Sequence, residues 1–359
     1  MPASVPAVRR PASLSSQIGL TDRIFASGQD KELAAAVDAG LVLVEDGLHA
    51  EMQFADNLAD VTARYLLEAG GKRVRPMLTL LTSQLGQGAT PEVLSSAEAI
   101  EITHLASLYH DDVMDEAQMR RGVPSAQSVW GNSVAVLTGD LLFARASKMV
   151  AALGERAIKL QADTFERLCL GQLHETIGPQ NGEDPIEHYI QVLADKTGSL
   201  IAAAAQMGVV FSKAPPEYEE PVVVFGEKIG IAFQLIDDVI DLSAKGVKET
   251  GKTPGNDLRA GVATLPLLRL RQRAETDATA RALLERLERD VIGTVDDGAI
   301  TPEAISAIAA LRDHEVTAQT LDEAHQWARE AVEALAPLPA GAVKKALTRF
   351  ADTIVDRSS

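Results

Sequence analysis

Residues 105–115 read Leu-Ala-Ser-Leu-Tyr-His-Asp-Asp-Val-Met-Asp, and residues 231–241 read Ile-Ala-Phe-Gln-Leu-Ile-Asp-Asp-Val-Ile-Asp. Each is an apolar run that closes on Asp-Asp-x-x-Asp. On a helix, residues four apart share a face, so Asp111 points with Asp115 and Asp237 with Asp241. Asp112 and Asp238 sit about 100° round the axis. Like charges at this spacing cost a helix roughly a few tenths of a kcal/mol. Apolar surroundings cost them far more unless a cation compensates. One such motif is equally well explained as a solvated acidic turn. Two copies, each behind an apolar run, predict facing helices that share metal ions. Oxygen-only ligation favours Mg²⁺, with Mn²⁺ as the alternative, over zinc. Mg²⁺ binds through a few carboxylates plus substrate phosphates, so the paired motifs point to a diphosphate held between them.

Working outward, the rest of the chain has the same helical spacing. Apolar residues recur at three and four, with little strict alternation. Thr90-Pro91-Glu92, Asp184-Pro185-Ile186-Glu187 and Thr301-Pro302-Glu303 each combine an N-cap with proline at the first helical position, and Glu187 is placed for a capping box. Gly86–Thr90 and Ala214–Glu220 are breaks. Val222-Val223-Val224-Phe225 resembles a strand, but it runs into a helical pattern and reads as helix. The expected fold is all-α, a bundle of roughly a dozen helices by this count of breaks. No linker divides it, so residues 18–359 are expected to form one domain. The stretch from Arg271 to Ala336 is expected to be a peripheral helical layer of it. Residues 1–17, rich in Pro, Ser and Ala, read as a disordered leader.

Composition removes several function classes. The 359 residues carry a formal net charge of −17, which argues against nucleic-acid binding. No apolar run is long enough to span a membrane. The single cysteine, Cys169, allows no internal disulfide and fits a reducing cytoplasm.

Against this acidic background the cations are placed selectively. Gly70-Gly71-Lys72-Arg73-Val74-Arg75-Pro76 is a cationic turn entering an apolar helix, and Lys72, Arg73 and Arg75 could grip a phosphate. Arg120-Arg121-Gly122 follows the first acidic motif and adds bidentate donors. Lys196-Thr197-Gly198 interrupts an apolar helical segment, and Lys252 follows the second motif. His104 lies two turns before Asp111 and is a further donor to an anion.

This ordered set resembles the trans-isoprenyl diphosphate synthases, or polyprenyl synthetases, of the medium- and long-chain bacterial type. The matching residues are Gly70 to Pro76, His104 with Asp111-Asp112-x-x-Asp115, Arg120-Arg121-Gly122, Gly139-Asp140, Lys196-Thr197, Gln234 with Asp237-Asp238-x-x-Asp241, and Gly251-Lys252 followed by Gly255-Asn256-Asp257-Leu258. The resemblance implies antiparallel helices around a central cavity, a homodimer, and head-to-tail condensation of an allylic diphosphate with isopentenyl diphosphate. It implies Asp111, Asp115 and Asp237 as Mg²⁺ ligands, with Asp112, Asp238 and Asp241 in support. Lys72, Arg75, His104 and Arg121 fall at its isopentenyl diphosphate site. Arg120, Lys196, Thr197, Gln234 and Lys252 fall at its allylic diphosphate site.

Two positions depart from the family pattern. Val262 follows Gly261 where a lysine is usual, and Gln172 stands where glutamate is usual. An elongating tail would pass Ala106 and Ser107, one turn before Asp111. Both are small, and the two-residue insertion of bacterial farnesyl synthases is absent. The expected product is therefore longer than C20, in the C30–C50 range of quinone side chains. Tyr109, Met77 and Leu81 could close the pocket deeper down, which leaves a geranylgeranyl diphosphate synthase as the alternative. A class I terpene cyclase shares the first motif, but its second mixes Asn, Ser or Thr with Glu. A non-catalytic partner subunit would have lost acidic motifs, and this chain keeps both.

Overall fold

The structure is a computed structural model that describes residues 27–243, 254–294 and 300–356. The leader at residues 1–17 and Lys252 lie outside the described residues. Helices α1 (Gly28–Glu51), α2 (Asn57–Glu68), α3 (Val74–Ser83) and α4 (Pro91–Met114) come first. A two-residue ribbon, β1 (Met119–Arg120) and β2 (Val123–Pro124), precedes α5 (Ala126–Trp130), α6 (Asn132–Leu153), α7 (Glu155–Ile177) and α8 (Pro185–Leu193). A π-helical turn, Ala194–Gly198, leads into α9 (Ser199–Phe211) and α10 (Glu219–Asp241). The chain continues with α11 (Asn256–Arg259), α12 (Leu265–Ala274), α13 (Ala278–Asp290), α14 (Pro302–Arg312), α15 (Glu315–Ala334) and α16 (Ala342–Val355).

The N-cap side chains act as their chemistry predicts, but the capping box expected of Glu187 is not formed. Thr90 Oγ1 accepts the Val93 amide, the Asp184 carboxylate accepts those of Ile186 and Glu187, and Thr301 Oγ1 accepts that of Ala304. Val222–Phe225 lies within α10, as its context requires. The ribbon is the departure from pure helix. Its loop residues Arg121 and Gly122 both have positive φ, the geometry of a two-residue hairpin turn, and glycine suits the second position.

Two compact units make up the chain, each assembled from three segments, so no single linker could separate them. The first comprises the chain up to Glu166, Ser199–Gly226 and Ala334–Phe350. Within it α4 packs against α1, α3, α6 and α9, which explains why its apolar residues are not confined to one stripe. Leu66, Leu67, Met77, Leu78, Leu81, Ile100 and Tyr109 are fully buried there. Gly208 of α9 meets α3 so closely that an added Cβ would lie 2.3 Å from the Thr79 carbonyl oxygen. Across this seam the Thr79 and Thr82 hydroxyls donate to the Ala204 and Ala205 carbonyls at 2.8 and 2.9 Å.

The second unit comprises Arg167–Gly198, Glu227–Glu333 and Ala351 onward. It has an apolar core of its own, built from Leu258, Leu267, Leu270, Leu283, Leu287, Ile308 and Leu311 among others. The helical layer expected after Arg271 supplies much of that core.

Candidate active site

In the first unit the cationic turn connects α2 to α3. Gly70 and Gly71 have positive φ, and so does Arg73, at 50°. That left-handed residue sends the Arg73 side chain inward. Its Nε and Nη2 donate to Glu45 at 2.8 and 3.0 Å, and its Nη1 donates to Glu101 at 3.3 Å. Further bonds reach the Leu67 and Gly70 carbonyls. Burial works against the charge, but Glu45 and Glu101 outweigh it and hold the guanidinium pKa above its ordinary value. The expectation that Arg73 grips a phosphate is thus corrected: its donors are committed to the protein.

Its neighbours differ. Lys72 is exposed. Arg75 has a buried Nε with no hydrogen-bond partner. Burial lowers its pKa to about 10, with Glu101 opposing and Arg121 assisting, so it stays cationic at neutral pH. Arg121 donates through Nη1 to the Leu66 carbonyl at 2.8 Å and to that of Gly70, capping the negative end of α2. Burial, then the charges of Arg75, Arg121, Arg120 and Arg73, push His104 well below the usual imidazole range. It is a neutral ring among cations.

The first acidic motif ends α4. Asp115 is the C-cap, Glu116 takes φ 50°, and the Ala117 amide returns to the Asp112 carbonyl at 2.9 Å. This is a Schellman termination. Asp112 is fully buried, and Arg120 holds its Oδ1 while Oδ2 has no hydrogen-bond partner. Burial raises the Asp112 pKa, and Arg120 opposes that rise.

In the second unit the other motif also occupies the last turn of its helix, α10. Asp241 accepts the Gly255 amide on its carbonyl at 2.8 Å and the Asp257 amide on Oδ2 at 3.1 Å. Gly255, at φ 68°, makes that return possible. Burial lifts the Asp238 carboxyl to about 8, against the hydrogen bond donated by Tyr189 Oη at 2.6 Å.

Neither helix has a basic residue in its last turn. Both motifs therefore place carboxylates where the helix dipole already repels anions. Oxygen donors in such a position fit a divalent cation, and the orphaned Asp112 Oδ2 agrees with this. Among the described residues no three His, Cys, Asp or Glu side chains are gathered into one metal-holding cluster. Asp112 is taken by Arg120 and Asp238 by Tyr189, so each motif could offer a cation only part of its coordination, as suits one that keeps water and phosphate oxygens.

Lys196 and Thr197 sit in the π turn, a local widening that often marks functional sites. Gly171 of α7 and Gly230 of α10 let their helices approach it. Added Cβ atoms there would lie 2.8 Å from the Lys196 amide nitrogen and 2.6 Å from the Gly198 Cα. Lys196 Nζ pairs with Glu175 at 2.5 Å. Arg167 donates to Asp195 at 2.7 Å and to Glu227 at 3.0 Å, bracing the turn. Gln234 and Thr197 are half-buried in the same unit, and the Gln172 Oε1 is buried without a partner. Arg167 and Glu175 were not singled out from sequence. The only signal was an Arg and a Glu eight positions apart on one amphipathic helix.

The sequence profile of the polyprenyl synthetase family matches residues 56–295. The chain belongs to the polyprenyl synthetase family. Nonaprenyl diphosphate synthase of Mycobacterium tuberculosis is 43% identical over 352 residues, covering 98% of this chain and 99% of that protein. The structure of a decaprenyl diphosphate synthase from Rhodobacter capsulatus superposes with a TM-score of 0.79 at 32% identity, covering 92% of this chain and 99% of the other. A geranylgeranyl pyrophosphate synthase from Corynebacterium glutamicum, complexed with calcium and isoprenyl diphosphate, gives 0.77 at 38% identity, covering 91% and 98%. These are prenyl diphosphate synthases, and the present chain is an enzyme of that prenyltransferase class. The family uses a divalent metal. No helix among the described residues is long and apolar enough to cross a membrane.

Proposed function

We propose that this chain is an all-trans polyprenyl diphosphate synthase that condenses isopentenyl diphosphate head to tail with an allylic diphosphate, using Mg²⁺. The observation that carries the reading is the placement of two intact aspartate motifs at the dipole-negative ends of α4 and α10. In the first unit Asp111 and Asp115, supported by Asp112, are the proposed metal ligands. Lys72, Arg75, Arg121 and neutral His104 hold isopentenyl diphosphate, with Arg120 on the allylic side. In the second, Asp237 with Asp238 and Asp241 are the proposed ligands, and Lys196, Thr197 and Gln234 serve the allylic diphosphate; Lys252 is assigned there as well. Bound Mg²⁺ supplies electrophilic neutralisation of the leaving diphosphate.

The chain's own residues do the rest. Lys196 and Arg120 share the charge that develops as the allylic C–O bond breaks. Arg75 and Arg121 position the isopentenyl double bond for attack on the allylic carbon. Thr197 and Gln234 turn oxygen dipoles toward the cation. The departing diphosphate takes the proton whose loss restores the double bond, so no protein nucleophile is needed. Water must be kept from the carbocation, which it would quench.

The product is proposed to exceed geranylgeranyl in length. Ala106 and Ser107 are small, and the Tyr109 hydroxyl is engaged by α2: it donates to the Thr62 carbonyl and accepts the Leu66 amide at 3.3 Å. The names of the nonaprenyl and decaprenyl relatives support a long product. A homodimer is proposed on the apolar side chains that α6 exposes, Leu137 at 65% and Val136 at 37%. We assign the enzyme to the cytoplasm, as the lone Cys169 suggests. The test is incubation with Mg²⁺, isopentenyl diphosphate and allylic primers of increasing length, with products sized after phosphatase treatment. A metal-dependent ladder ending at one long product supports the reading, and no elongation from any primer rejects it.

A further inference from the structure

Arg73 and Arg121 both crowd the Cβ side of Gly71. A Cβ built on Gly71 would lie 2.6 Å from Arg73 Nη1 and 3.1 Å from Arg121 Cζ. Four arginines, Arg73, Arg75, Arg120 and Arg121, act on His104 at once. Such a group of like charges flies apart, or leaves the interior, unless something holds it. Glu101 lies on α4 one turn before His104 and is only 2% exposed. It accepts Arg73 directly and acts through its charge on both Arg75 and Arg121. Glu45 of α1 accepts Arg73 from another side with both oxygens.

We propose that Glu101 is a positioning residue for isopentenyl diphosphate. Through Arg73 it fixes the Gly70–Arg75 turn, and through its charge it keeps Arg75 and Arg121 in place before the anion arrives. This rests on the proposed assignment of Lys72, Arg75, His104 and Arg121 to isopentenyl diphosphate. Lys72, Arg73, Arg75 and Arg121 set against Glu45 and Glu101 leave an excess of positive charge, which a diphosphate neutralises. A site assembled in advance spares the ligand the cost of ordering it. Glu101 reaches the substrate only through the arginines, so its effect falls on the binding of one substrate.

The experiment compares Glu101→Gln, Glu101→Asp and Glu45→Gln with the unaltered chain in steady-state kinetics, varying each substrate separately, with thermal midpoints measured in parallel. In folded Glu101→Gln the KM for isopentenyl diphosphate rises about tenfold, while kcat and the KM for the allylic primer stay within about twofold. Glu101→Asp, which keeps the charge, recovers part of the loss. If Glu101→Gln does not fold, Glu45→Gln decides, with the same one-sided rise in smaller measure. An unchanged KM for isopentenyl diphosphate in the folded variant, or an equal effect on both substrates, overturns the positioning role. An unaltered chain that neither elongates a primer nor binds isopentenyl diphosphate overturns the proposed function instead, so the two failures are distinct.

Discussion

Arg120 approaches Asp112 with two nitrogens, Nε and Nη2, both 2.6 Å from the same oxygen, Oδ1. The other carboxylate oxygen is buried and unbonded. The pair is thus asymmetric: one oxygen is fully answered and one waits. Truncating Arg120 strands a buried carboxylate, which costs more than the bond itself contributes. Arg120→Ala is expected to lose about 1–3 kcal/mol of stability in urea unfolding, and Asp112→Asn in the same background to recover part of it. Additive losses would show that the two side chains do not act as a pair.

A second carboxylate gives the stability a pH dependence. Burial first, and then the charge of Glu51, raise the Glu98 pKa from 4.5 to about 7. The crowding is visible at Gly47, where an added Cβ would meet the Glu98 carboxylate. Between these two pKa values the folded chain keeps a proton that the unfolded chain has released. Stability from this group therefore falls as pH rises through that window. Glu98→Gln, which resembles the protonated form, is expected to raise the urea midpoint at about pH 8 and leave it unchanged near pH 4.5. Parallel pH profiles for the two proteins would show that Glu98 does not titrate in that range.

The aspartate motifs make the sharpest catalytic expectation. Asp111→Ala and Asp237→Ala are each expected to lower kcat by about 10²-fold or more while the chain stays folded, because each removes a proposed metal ligand. Circular dichroism checks the fold and incorporation of labelled isopentenyl diphosphate checks the activity. Near-normal turnover in either variant would count against that aspartate as a ligand.

Product length is expected to respond at Ala106, which is fully buried on α4 one turn before the first motif. Ala106→Phe should shift the product to a shorter chain with initiation retained, read from the sized alcohols. An unchanged product would move the determinant away from this position.

What could be read from sequence was local. Thr90, Asp184 and Thr301 announce helices because a cap acts over three residues, and the proline after each excludes other placements. The aspartate motifs were legible because their spacing is helical and their surroundings apolar. Arg73 was misjudged beside Arg75 because the difference between them is a single left-handed φ, which sequence does not carry for a non-glycine residue. The ribbon at Met119–Pro124 is too short for alternation to register. The π turn displaces the helical period at the very residues, Lys196 and Thr197, whose chemistry stood out. Glu101 gives no signal in the sequence, since its partner Arg73 lies twenty-eight positions away in the chain.

The Thr79 and Thr82 hydroxyls across α3 and α9 have a consequence for motion. Each carbonyl they reach also belongs to the ladder of α9, so a slip by one residue would break both bonds together and drive the Gly208 backbone into a side chain. The two helices accordingly breathe as one body. Amide hydrogens along Leu78–Thr82 and Ala202–Gly208 should trade for deuterium at a common, slow rate, and the turn that begins α3 inherits that stillness.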